Sequence, residues 1–142
     1  MRWIFGIVIL LFMAVTAQAQ TTTGDPCTIG RGTDIAFSNT ASAVIIPGAP
    51  NQRVHICFLF IGTSGAQNIS IVEGTGTACA TGQKIMIGGP GATGPASQAN
   101  GTWIMGNGGG TITQSTVGGN DVCLLQSAAG QVAGSAMYVA TP

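Results

Sequence analysis

Charge is what this chain has least of. Its 142 residues include four Lys or Arg, four Asp or Glu and a single His, so 6% are charged, against about 25% in an average soluble domain. Without a basic patch, nucleic-acid binding lacks its electrostatic footprint. Without a basic amphipathic stretch, so does adsorption to a membrane surface. Metal-ligand patterns are missing too. The four cysteines are 30, 22 and 44 residues apart, whereas zinc and thioredoxin-type sites use closely spaced pairs. Acidic residues form no cluster of the kind calcium needs. The Gly-rich runs, such as Gly106 to Gly110, lack the Lys-Ser/Thr and following helix of a phosphate cradle.

Catalytic sets are equally scarce. A Ser-His-Asp site would have to use His55, which lies inside the most apolar segment beside Cys57 and reads as a packed structural residue. Glu73 and Asp121 could form a glycosidase-like carboxylate pair. Each borders a Gly-rich turn, however, where acidic residues commonly make local hydrogen bonds. The sequence therefore leads us to expect no enzyme, no metal and no cofactor. Disorder is not the explanation for the low charge, because 45% of the residues are hydrophobic.

What is present begins with an export signal. Met1-Arg2-Trp3 carries one positive charge, Ile4 to Val15 is an apolar run, and Thr16-Ala17-Gln18-Ala19 has the small residues of a cleavage site. A membrane-spanning helix needs about 20 apolar residues, more than this run supplies. We read residues 1–19 as a signal peptide and Gln20 as the mature N-terminus. Residues 20–50 then form an N-terminal arm with the first short strands, and 51–142 the body of one domain. The expected location is secreted, periplasmic or on the cell surface.

Export changes the meaning of Cys27, Cys57, Cys79 and Cys123. In an oxidising compartment an even number of cysteines reads as a disulfide framework. Of the three possible pairings we favour Cys27–Cys57 and Cys79–Cys123. The first would tie the N-terminal arm to the longest strand. The second would join the end of one strand to the start of an antiparallel neighbour.

The remaining pattern is β. Glycine recurs too often for an ordinary helix, and no 3.6-residue apolar period survives. Eight or nine short strands alternate with turn residues: 33–39, 43–46, 53–61, 67–73, 84–87, 102–105, 111–116, 122–127 and 132–140. Arg53 to Ile61 is the strongest. Simple alternation puts Val54, Ile56, Phe58 and Phe60 on one face and His55, Cys57, Leu59 and Ile61 on the other, with both faces covered. Gly88 to Asn100 reads as a long loop. The spacing suggests an all-β antiparallel sandwich or barrel, of which we expect the sandwich, and no fixed repeat supports a β-helix.

For function, the weakly charged surface suits a protein that packs against copies of itself or another surface protein. We expect an exported structural or surface-interaction protein, a homo-oligomer, with no nucleic-acid partner and no membrane insertion after cleavage. A second reading is a module for neutral glycans, with Trp103 and Tyr138 as ligand contacts, although both residue types more often fill a core. Asn68-Ile69-Ser70 and Asn100-Gly101-Thr102 fit the glycosylation acceptor pattern, a triplet that arises often by chance.

The order of landmarks from Arg53 onward adds a resemblance. Val54-His55-Ile56-Cys57 is followed by Gln67-Asn68-Ile69-Ser70-Ile71-Val72-Glu73-Gly74-Thr75-Gly76-Thr77-Ala78-Cys79. Asp121-Val122-Cys123-Leu124-Leu125 and Gln131-Val132-Ala133-Gly134-Ser135-Ala136-Met137-Tyr138 follow. This resembles a loose group of small, mostly uncharacterised β-proteins encoded by bacteria and their tailed phages. The resemblance implies a jelly-roll-like sandwich and, in phage contexts, a virion surface or decoration component. The export signal departs from such a role and favours the envelope or the exterior of the cell.

Overall fold

A computed structural model describes residues 24–142; the expected signal peptide lies outside the described residues. The chain forms ten strands: β1 (Thr33–Asn39), β2 (Ala43–Ile46), β3 (Arg53–Thr63), β4 (Gln67–Thr75), β5 (Thr81–Ile87), β6 (Ala96–Ser97), β7 (Thr102–Met105), β8 (Thr113–Gln114), β9 (Asp121–Gln126) and β10 (Val132–Thr141). They build two antiparallel sheets. Sheet A runs β1-β10-β3-β7, with β8 also on β3. Sheet B runs β2-β9-β4-β5, with β6 also on β4. This interleaving of early and late strands across two packed sheets is the jelly-roll arrangement.

The core lies between the sheets. Ile46, Val122, Leu124, Ile69 and Ile71 of sheet B meet Val54, Ile56, Leu59, Ile61, Val132 and Ala136 of sheet A. Burying each such aliphatic side chain contributes roughly 1.5–3 kcal/mol. Simple alternation along β3 does not hold throughout. The pairing of β10 with β3 passes from Met137–Phe58 to Tyr138–Ile56, leaving Cys57 as an extra residue. This bulge shifts the phase. Val54 and Ile56 share the core with Leu59 and Ile61, while Phe58 and Phe60 are only half-buried, on the outer face.

Two short helical turns were not expected. Pro26–Ile29 is a single turn started by Asp25, whose Oδ1 accepts from the Cys27 N–H at 2.9 Å, with Pro26 at a first-turn position. Thr77–Cys79 is a 3-10 turn. These turns carry two of the cysteines onto the sandwich. Cys27 joins Cys57 and Cys79 joins Cys123, with Cα atoms 5.5 Å and 5.9 Å apart. Cys27–Cys57 packs with Met137 and Val139 on the outside of sheet A. Cys79–Cys123 packs with Val72 and Leu125 on the outside of sheet B. Each outer face thus has its own small apolar cluster, pinned by its own bridge. Two disulfides fit an oxidising, extracellular-type environment. No helix among the described residues is long and apolar enough to cross a membrane.

Candidate interaction surfaces

Strand alternation fixes what each face presents. On sheet A, the partners of Phe60 are Ser135 on β10 and Ile104 on β7, and Ser135 in turn pairs with Ala36 on β1. Gly62 lies between Ala133 and Thr102 in the same way. These residues share the outer face, and Ile104 is 65% exposed. Asp34, opposite Met137, is the single charged residue on these outward positions of β1. Arg53, opposite Thr141, faces outward at the other end of β3, so this four-strand surface has aromatic and aliphatic relief with two charges of opposite sign. It grades into a cavity of about 410 Å³ bounded by Phe60, Thr63, Ser64, Asn100, Thr102 and Gln131.

The charges that do exist are segregated. Four connecting stretches gather toward one end of the sandwich: 40–42, 64–66, 88–101 with the two-residue β6 inside it, and 127–131. None contains Asp, Glu, Lys, Arg or His. A second cavity, of about 300 Å³, opens there between Thr40–Ser42 and Gln126–Ala129. Beneath this end, Gln67 is 5% exposed, and a Cβ added to Gly130 would stand 3.4 Å from its Nε2. The side-chain nitrogen and oxygen of both Gln67 and Gln126 are buried with no hydrogen-bond partner among the described residues. Nearby, Thr63 and Ser97 hydroxyls bond each other at 2.6 Å.

The carboxylates occupy other places, and they do not form a pair. Glu73 follows Ile69 and Ile71 in phase, so it points into the sandwich and is 1% exposed. Asp121 is opposite Gly74, one residue out of phase, and its Oδ1 accepts from the Gly48 N–H at 2.7 Å. The two side chains therefore leave opposite faces of sheet B. Nor is Glu73 a local turn residue. It accepts from the N–H of Thr116 at 2.9 Å, from the Thr116 hydroxyl and from the N–H of Val117 at 3.2 Å. Burial disfavours its ionisation, but hydrogen bonds from Thr116, Val117 and Asn120 outweigh that and hold the carboxyl below its ordinary value. Lys84 completes the set, its Nζ donating to the Thr116 hydroxyl at 3.0 Å. Glu73 is an anchor that fastens the β8–β9 connection to sheet B.

His55 is 6% exposed, with Nε2 3.0 Å from the Thr141 hydroxyl and Nδ1 unpartnered among the described residues. Burial lowers its pKa; Asp25 partly opposes this and Arg53 adds to it. Asp25 itself is held below the usual carboxylate range by the hydroxyl and N–H of Thr111 and the N–H of Cys27. No carboxylate hydrogen-bonds to His55 among the described residues. Trp103 and Tyr138 both pack against the core cluster, Trp103 opposite Ile61 and Tyr138 opposite Ile56. β3 separates them, so they are not brought together. No group of three or more His, Cys, Asp or Glu among the described residues could hold a metal ion. No family model, no curated protein and no solved structure matches this chain.

Proposed function

We propose that this protein is an exported, non-catalytic structural or surface-interaction protein that packs against further copies of itself through the outer face of sheet A. The supporting observation is the uncharged relief of Phe58, Phe60 and Ile104 on that face. An apolar patch whose flanking charges, Asp34 and Arg53, are of opposite sign is what an identical copy can cover without like-charge repulsion. The bridges pinned to each outer face suit a domain that keeps its shape outside the cytoplasm.

The test uses the chain beginning at Gln20. Light scattering across a concentration series should give a mass that is a multiple of the protomer. Ile104→Lys should shift it to the monomer while leaving the β circular-dichroism spectrum unchanged. A wild-type monomer at every concentration up to the solubility limit would remove this reading.

A further inference from the structure

We propose that the uncharged end of the sandwich is a binding site for a neutral saccharide, with the carboxamide of Gln126 as its central hydrogen-bonding group. This does not depend on self-association, and it uses residues other than Trp103 and Tyr138.

The argument starts from cost. A buried polar group with no partner costs about 1–3 kcal/mol, and native proteins leave few of them. Here the amides of two side chains share that condition. Both belong to sheet B: Gln126 is opposite Ile69, and Gln67 precedes Ile69 by two residues. They are therefore diagonal neighbours on the inner face of sheet B. Of the two, only Gln126 borders a cavity, the one of about 300 Å³. Its residue is only half-buried while its amide is turned inward. An inward amide that makes no hydrogen bond forfeits none by turning outward.

The chemistry of the end selects the ligand. Each carboxamide offers donors and an acceptor, as each sugar hydroxyl does. Thr40, Ser42 and Ser127 add hydroxyls at the same cavity. A charged ligand would find no counter-charge on any of the four connections. An extended peptide would seek an unpaired strand edge, whereas the Gln126 cavity lies between the loop tips at 40–42 and 127–129.

The experiment applies the chain from Gln20 to an array of neutral and acidic glycans, then titrates the hits by calorimetry. Neutral glycans should bind and acidic ones should not. Gln126→Leu should weaken binding tenfold or more without lowering the thermal midpoint, because it removes an unpartnered buried amide. Gln67 borders neither cavity, so Gln67→Leu should keep the binding and serves as the control. An array without neutral hits, a preference for acidic glycans, hits retained in full by Gln126→Leu, or an equal loss in Gln67→Leu would overturn the proposal. Failure of self-association would register in the light-scattering mass and leave this result unaffected.

Discussion

Replacing Glu73 probes how a carboxylate survives among isoleucines. Its two oxygens face donors alone: the N–H of Thr116, the N–H of Val117 and the hydroxyl of Thr116. Glu73→Gln keeps the shape but turns one oxygen into an NH2 group. The amide can then serve the peptide N–H groups with its oxygen, while its nitrogen faces the Thr116 hydroxyl, which can rotate to accept. One charge-assisted bond is lost in effect, so stability should fall by about 1.5–3 kcal/mol. Glu73→Leu removes every acceptor and strands two peptide N–H groups at about 1–3 kcal/mol each. Thr116 and Val117 lie in an exposed segment, which keeps each penalty near the low end, so about 2–4 kcal/mol is expected. Guanidinium unfolding followed by the fluorescence of Trp103 measures both. The folded pKa of Glu73 is lowered. Its contribution is therefore present above the unfolded carboxyl value of about 4.3 and is lost as pH falls through the lower folded value. The gap between wild type and Glu73→Gln should accordingly close in acid. A Glu73→Leu protein as stable as wild type, or a gap unchanged between neutral and strongly acidic solution, would refute the anchor.

The bridges and His55 supply two further predictions. Chain entropy over separations of 44 and 30 residues gives about 4 kcal/mol for Cys79–Cys123 and about 3.6 kcal/mol for Cys27–Cys57. Paired Cys→Ala variants should show losses of that size and in that order in denaturant melts, and a loss below about 1 kcal/mol for either would reject it. Because burial lowers the pKa of His55 from 6.5, the unfolded chain takes up a proton near that pH before the folded one does. Its contribution is complete above pH 6.5 and declines as pH falls toward the folded value. Urea midpoints measured from neutral to mildly acid pH should fall for wild type, and fall less for His55→Gln. Parallel curves for the two would contradict the buried neutral imidazole.

The sandwich and its disulfide pairing were legible because both rest on local signals: strands cut by glycine, one cysteine in the N-terminal arm ahead of the longest strand, and two near the ends of neighbouring strands. The outer face of sheet A was hidden by one residue. Alternation from Val54 sends Phe58 and Phe60 inward, and only the extra residue at Cys57 turns them out. Nothing in the apolar run from Ile56 to Ile61 marks where such a bulge falls. The turn at Pro26–Ile29 did have a signal, since Asp25-Pro26 is a capping residue followed by a first-turn proline. Glu73 also had one. It keeps step with Ile69 and Ile71, but the adjacent glycines argued for a turn, and its partners at 116 and 117 are remote in sequence. The uncharged end lies in plain view as four stretches without charge. Only the jelly-roll topology gathers those stretches into one place, and only side-chain packing leaves Gln67 and Gln126 without partners there.

The two bridges close loops that do not overlap, one from 27 to 57 and one from 79 to 123. A protease that cuts the long connection at 88–95, or the β1–β2 tip at 40–42, therefore opens a ring without separating two pieces. The β3–β4 connection at 64–66 and the β9–β10 connection at 127–131 cross between the sheets and lie outside both rings, so a single cut at either one can release a fragment. Under reducing conditions that distinction disappears. Where this protein meets proteases, its covalent integrity after a first cut thus depends on which loop is reached.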